Sequence, residues 1–138
     1  EKFNAYAVCD FGYGDTKNKA LIDWFPRKVW QCLYAAKIVF PRFDEKKRQL
    51  EIDRTLSLTE SFEEIKTKQI KILPTTELET FIKHFGNVVE TKTIDDHGEV
   101  KSDIERVGDD HYVHAYNYAR LLFSRKDGNY NKWSVTEI

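Results

Sequence analysis

Ala7-Val8-Cys9-Asp10-Phe11-Gly12-Tyr13-Gly14 is the stretch on which the reading of this chain turns. A short, apolar, β-prone run from Asn4 to Cys9 leads straight into an acid, and two glycines then break the pattern. Asp15 or Thr16 can cap a helix running to about Phe25, with Leu21, Ile22 and Phe25 on one apolar face. Pro26 stops it, and Val29 to Ala35 reads as a second, buried strand. A strand, helix and strand at this spacing imply two parallel neighbours joined by a right-handed crossover. In an open α/β sheet, ligands gather at the carboxyl ends of the strands, so a carboxylate at position 10 can hold a divalent cation or act as a base. The plainer alternative is an Asp that ends a strand and caps the turn. Gly-Tyr-Gly lacks the spacing of a phosphate loop.

Working outward, Asp44 to Arg48 is a charged turn followed by a strand at Gln49 to Asp53. Ser57 and Glu60 make a capping box that opens a helix with Phe62 and Ile65 on its inner face. Ile70 to Leu73 is a short strand ended by Pro74, and Thr76 with Glu79 repeats the capping box. That second helix carries Leu78, Phe81, Ile82 and Phe85, with Gly86 as its stop. Val88 to Ile94 and Glu99 to Glu105 flank Asp95-Asp96-His97-Gly98, which predicts a β-hairpin across 88–105. A last helix, about Asp109 to Ser124, carries Tyr112, Ala115, Tyr116, Ala119, Leu122 and Phe123 as an amphipathic stripe. Residues 125–138 read as a polar tail, with Trp133 and Val135 near its end, and the whole of 1–138 reads as a single domain.

The composition sets limits on function. Lys plus Arg number 22 and Asp plus Glu 23, a balance that excludes a polybasic nucleic-acid-coating protein and an acidic, disordered chain. Hydrophobic residues reach 41% of the chain, enough for a real core. Cys9 and Cys32 sit in apolar, strand-like stretches and read as reduced core thiols; with four scattered histidines they form no zinc pattern. No apolar run approaches the ~20 residues needed to span a membrane. The expectation is a soluble, intracellular, mixed α/β piece, and a first residue Glu1 reads as a processed product or an excised part of something longer.

The second constellation is Gly108-Asp109-Asp110-His111-Tyr112-Val113-His114. Two acids open a helix at the positive end of its dipole. Asp110, His114 and Asn117 fall on one face, distinct from the apolar stripe, and an acid with a histidine one turn away suits a metal ligand backed by an imidazole. An Asp cap followed by exposed polar residues is the competing reading. Arg42, Lys46, Lys47 and Arg48 form a small basic patch that could meet DNA phosphates, but Asp44 and Glu45 dilute it, and a solvated hairpin turn is favoured. Arg54, in Asp53-Arg54-Thr55, fits either a substrate contact or a structural ion pair. Trp24 and Trp30 flank the first crossover and are expected in the core.

Taken together, these stretches resemble the nuclease of the large terminase subunit of tailed bacteriophages. The resemblance runs from about Tyr6 to Phe123. It rests on the 7–14 stretch with Lys19-Ala20-Leu21-Ile22 and Phe25-Pro26, on Ile52-Asp53-Arg54-Thr55 and Ile70-Lys71-Ile72-Leu73-Pro74, and on Asp109-Asp110-His111-Tyr112-Val113-His114-Ala115-Tyr116-Asn117-Tyr118-Ala119. It implies a ribonuclease H-like mixed sheet flanked by helices, and a metal-dependent endonuclease that cuts concatemeric viral DNA during packaging. It implies Asp10 and Asp110, with Asp109 as companion, as catalytic acids holding Mg²⁺ or Mn²⁺, and His111 and His114 behind them. Two such cations about 4 Å apart activate water and stabilise the departing oxygen. The partners implied are double-stranded viral DNA, the ATPase part of the large subunit, the small subunit and the portal, in the cytoplasm of an infected cell. A non-catalytic DNA-binding or docking module on the same scaffold, or another ribonuclease H-like enzyme such as a transposase, are the alternatives.

The family's first acid lies on an earlier strand than the motif that Asp10 matches, so the chain reads as the C-terminal part of such a domain, lacking its N-terminal strands. Asp10 as the first acid would need a β-meander after it, against the helix signal at Lys17 to Phe25. Two expectations follow: self-association through the exposed strand 4–9, and weak or no cleavage by the chain alone.

Overall fold

The molecule is organised around β2 (Val29–Tyr34), whose Val-Trp-Gln-Cys-Leu-Tyr sequence combines β-prone residues with no glycine or proline. It lies between β1 (Ala7–Asp10) and β4 (Gln49–Ile52) and runs parallel to both, with Asp10 level with Cys32 and Tyr34 level with Ile52. The computed structural model describes residues 6–12, 14–67, 70–72 and 74–126; Asn4 and Ala5 and the tail 127–138 lie outside them. A short β3 (Arg42–Asp44) pairs antiparallel with β4, giving a four-stranded mixed sheet in the order β1-β2-β4-β3. The expected parallel neighbours are present, and β1 is an edge strand of this sheet.

The helices depart from their predicted starts for identifiable reasons. α1 (Asp15–Trp24) has Gly14 at its N-cap, at φ 83, and no side-chain capping bond, so neither Asp15 nor Thr16 plays the expected role. Trp24 ends this helix 73% exposed, contrary to the core position expected of it. Trp30 is in the core, edge-on to Phe43 at 5.3 Å, with the Arg48 guanidinium 3.9 Å over its ring. α2 (Arg54–Lys66) begins three residues before the predicted box, because Asp53 is itself the N-cap and accepts from Leu56 N at 3.1 Å. Ser57 is thereby drawn inside the helix and buried.

Residues 70–72 are irregular, so the strand expected from Ile70 is not formed (Leu73 lies outside the described residues). A strand here would need a partner, and none of the described residues 70–72 belongs to either sheet. α3 (Leu78–Gly86) has Glu77 at its N-cap without a side-chain bond, and Gly86 is its last residue; Asn87 is the C-cap at φ −85, its N–H on the Lys83 carbonyl. The left-handed glycine stop is therefore replaced by a right-handed asparagine. The hairpin is as expected: β5 (Val88–Ile94) and β6 (Val100–Arg106) form a separate antiparallel pair. The Asp95 carboxylate accepts from His97 N and Glu99 N, each at 2.9 Å, and Gly98 supplies φ 80 to the turn.

The largest correction concerns α4 (His111–Lys126). Val113, Asn117, Tyr118 and Leu121 are buried, together with Asp110 just ahead of the helix, whereas Ala115, Ala119 and Phe123 are exposed and Tyr112, Tyr116 and Leu122 only partly covered. The helix thus buries a face that carries Asn117 and Arg120 among Val113, Tyr118 and Leu121, in place of the expected stripe. Two clusters meet there: Cys32, Leu50, Ile52, Tyr118 and Leu121 under the four-stranded sheet, and Leu58, Val88, Ile104 and Val113 under the hairpin. Cys32 is a buried free thiol, its pKa pushed up to about 12, first by burial and then by the charge of Asp10; Cys9 is half-buried and also free. No described helix is long and apolar enough to cross a membrane.

Candidate functional site

Five elements deliver polar side chains to one place. β1 ends in Asp10, β2 in Tyr34, α2 opens with Arg54, β6 closes with Arg106, and Asp110 stands at the head of α4. All five line a cavity of about 760 Å³, together with His111, His114 and Tyr118. Asp10 and Asp110, a hundred positions apart in the chain, therefore share one cavity.

Each carboxylate is held by named partners. Asp10 Oδ1 accepts from the Tyr118 hydroxyl at 2.8 Å and Oδ2 from Gly12 N at 3.2 Å, while its backbone oxygen accepts from Asn18 Nδ2 at 2.7 Å. The turn after the strand is thus folded back onto the acid that precedes it. Burial, reinforced by the charge of Tyr34 and the bond to Asp10, pushes the Tyr118 phenol far above its usual range, so it is a fixed O–H donor. Asp110 is only 4% exposed. Its backbone oxygen accepts from Val113 N at 3.0 Å; its Oδ2 lies 3.2 Å from His114 Nε2 and its Oδ1 3.9 Å from an Arg106 guanidinium nitrogen.

Burial lowers the pKa of His114, the charge and hydrogen bond of Asp110 oppose that shift, Arg54 lowers it further and Asp10 raises it. The ring therefore lies within the field of both acids and of one arginine. On its other side, Nδ1 is 2.8 Å from the Tyr34 hydroxyl. Arg54 donates to the Ile104 carbonyl at 2.6 Å, which ties the head of α2 to the hairpin.

Of the residues singled out in the sequence, Asp10, Asp110, His111, His114 and Arg54 line the cavity. Asp109 does not: its side chain is exposed and its carbonyl accepts from Asn87 Nδ2 at 3.0 Å. Arg42, Lys46 and Lys47 lie on β3 and its turn, at the edge of the sheet opposite β1. Arg42 pairs with Glu51, and the amides of Lys46 and Lys47 both donate to Asp44 Oδ1 at 3.0 Å. Sequence reading missed Tyr34, Arg106 and Tyr118. Tyr118 could have been found, since it extends the Asp110–His114 row by one helical turn; Arg106, at the end of a strand, and Tyr34 carried no such signal.

Among the described residues, no three or more His, Cys, Asp or Glu side chains converge closely enough to hold a metal ion. Two carboxylates facing one cavity are nonetheless hard oxygen donors, the chemistry of Mg²⁺ or Mn²⁺. Mg²⁺ is commonly bound through one or two carboxylates, with water and phosphate oxygens completing its shell. The two carboxylates fit that use. Fold and site together define a mixed α/β domain with a cavity at the strand ends lined by two acids, two arginines and two histidines. Comparison with protein families, with curated proteins and with solved structures finds no match to this chain.

Proposed function

We propose that this chain belongs to a metal-dependent DNA endonuclease of the terminase type, on a ribonuclease H-like scaffold. The observation that carries the reading is the shared cavity of Asp10 and Asp110. The mixed sheet, with one acid at a strand end and another at a helix start, supports it, as does the resemblance in sequence.

In this reading Asp10 and Asp110 hold Mg²⁺ or Mn²⁺, and the cation, once bound, supplies Lewis acidity and an activated water for phosphodiester hydrolysis. Tyr118 keeps Asp10 facing the cavity, and His114 does the same for Asp110. Arg54 and Arg106, which line the same cavity, would offer DNA phosphates the forked hydrogen bonds of their guanidinium groups. Asp109, outside the cavity lining, adds negative charge ahead of α4 instead of ligating. Double-stranded viral DNA is the substrate; the ATPase part, the small subunit and the portal are the partners of the complete packaging enzyme.

A second reading, a DNA-binding module without catalysis, draws on the lack, among the described residues, of any group of three or more ligand side chains that could hold a metal ion. Manganese-dependent nicking of supercoiled DNA separates the two. The nuclease reading expects weak nicking that disappears in Asp10→Asn and in Asp110→Asn. Nicking that survives Asp10→Asn overturns it, and salt-sensitive DNA binding with no metal requirement favours the module.

A further inference from the structure

We propose that Tyr34 and Asn117 are positioning residues: they hold the His114 ring, in the tautomer that carries its proton on Nε2 towards Asp110, and through that ring they aim the Asp110 carboxylate into the cavity. The use of the aimed carboxylate rests on the nuclease reading, whereas the hydrogen-bond chain stands on the geometry alone.

The direction of the chain is set at the acid. A carboxylate offers only acceptors, so His114 Nε2, at 3.2 Å from Asp110 Oδ2, carries the hydrogen. A neutral imidazole then has a bare lone pair on Nδ1, and the Tyr34 hydroxyl at 2.8 Å must donate to it. The Tyr34 oxygen in turn accepts from Asn117 Nδ2 at 3.2 Å. The second amide hydrogen of Asn117 goes to Ser57 Oγ at 3.1 Å, and the Ser57 hydroxyl goes to the Arg54 carbonyl at 3.2 Å. Asn117 Oδ1 accepts from the Ser61 hydroxyl at 2.8 Å.

The opposite polarity fails. Were the Asn117 amide reversed, Tyr34 would donate to it, Nδ1 would have to donate to Tyr34, and the bare Nε2 would face the lone pairs of Asp110. The chain therefore runs one way, from Asn117 on α4 through Tyr34 on β2 to the acid at the head of α4. Asn117, Ser57 and Ser61 are fully buried, which leaves their polar atoms no water to turn to. Ring contacts hold Tyr34 in place, at 5.5 Å from His114 and 5.7 Å from Tyr118. Metal-ligating groups are characteristically oriented by such partners behind them, at a cost of about 10- to 100-fold in affinity when these are removed.

Nitrogen-15 NMR of the imidazole rings, on the full chain without metal at about pH 8, where a free histidine is neutral, reads the tautomer directly. The expected result is a protonated Nε2 and a bare Nδ1 for His114, with an Nδ1 resonance that moves in Tyr34→Phe as its hydrogen bond is lost. A protonated Nδ1 in the unmodified chain, or an unchanged spectrum in Tyr34→Phe, overturns the chain of bonds. Calorimetric Mn²⁺ titration then tests its purpose. Tyr34→Phe, with an unchanged circular dichroism spectrum, is expected to bind about tenfold more weakly, and equal affinity overturns the positioning role. An unmodified chain that binds no Mn²⁺ overturns the nuclease reading instead, while the tautomer still decides the hydrogen-bond chain.

Discussion

The cavity at the strand ends and the β3–β4 turn at the far edge of the same sheet both carry clustered charge, but they are built in opposite ways. In the turn, the ion pairs are between residues close in sequence: Asp44 with Lys47, Arg48 with Glu45, Arg42 with Glu51, and the Asp44 carboxylate also accepts from the amides of Lys46 and Lys47. In the cavity, Tyr118 reaches Asp10 across 108 positions and Tyr34 reaches His114 across 80. Local pairs of exposed charge need no fold to form and contribute little to stability. Long-range, buried pairs exist only once the chain has folded, and they hold side chains in fixed directions. The difference marks the turn as solvated and the cavity as the candidate site.

The comparison breaks first at Asn117. Asn117→Ala leaves Tyr34, Ser57 and Ser61 without their buried partner and is expected to cost about 2–4 kcal/mol, read as a shift in urea midpoint. A loss below ~0.5 kcal/mol, the size of an ordinary surface change, would mean that the network adds no more than the turn does. A smaller effect sharpens the contrast between the two basic regions. Arg54→Ala and Arg106→Ala are each expected to weaken DNA binding roughly tenfold, the size of a charge-assisted contact. Lys46→Ala with Lys47→Ala is expected to change it by less than about twofold, because those side chains are solvated. Equal losses in a filter-binding titration would return the basic patch to the interface.

How much of this was legible in the sequence follows the same division. The Asp95-Asp96-His97-Gly98 hairpin and the Asp44 to Arg48 turn were readable because their determinants are neighbours in the chain. The parallel β1 and β2 pair was readable from apolar runs around a short helix. Helix starts were less so: Asp53 competes with Ser57 for the cap of α2, and only the packing of Ser57 against Asn117 selects the earlier start. The face of α4 was misread because periodicity ranks residues by the hydrophobicity of their letters. Asp110, His114 and Asn117 look like a solvent face; Asn117 is buried because Tyr34, Ser57 and Ser61, from two other elements, satisfy its amide, and Asp110 is buried against His114, whose ring Tyr34 partners. The same fact kept Tyr34 out of the predicted site. Its role depends on a residue 80 positions away, which no local pattern announces.

The account is tested most directly by locating a bound cation. Crystals of the chain soaked in Mn²⁺ should show one anomalous peak in contact with carboxylate oxygens of both Asp10 and Asp110. A peak bound by one of these acids without the other, or manganese bound only outside the cavity, would contradict it.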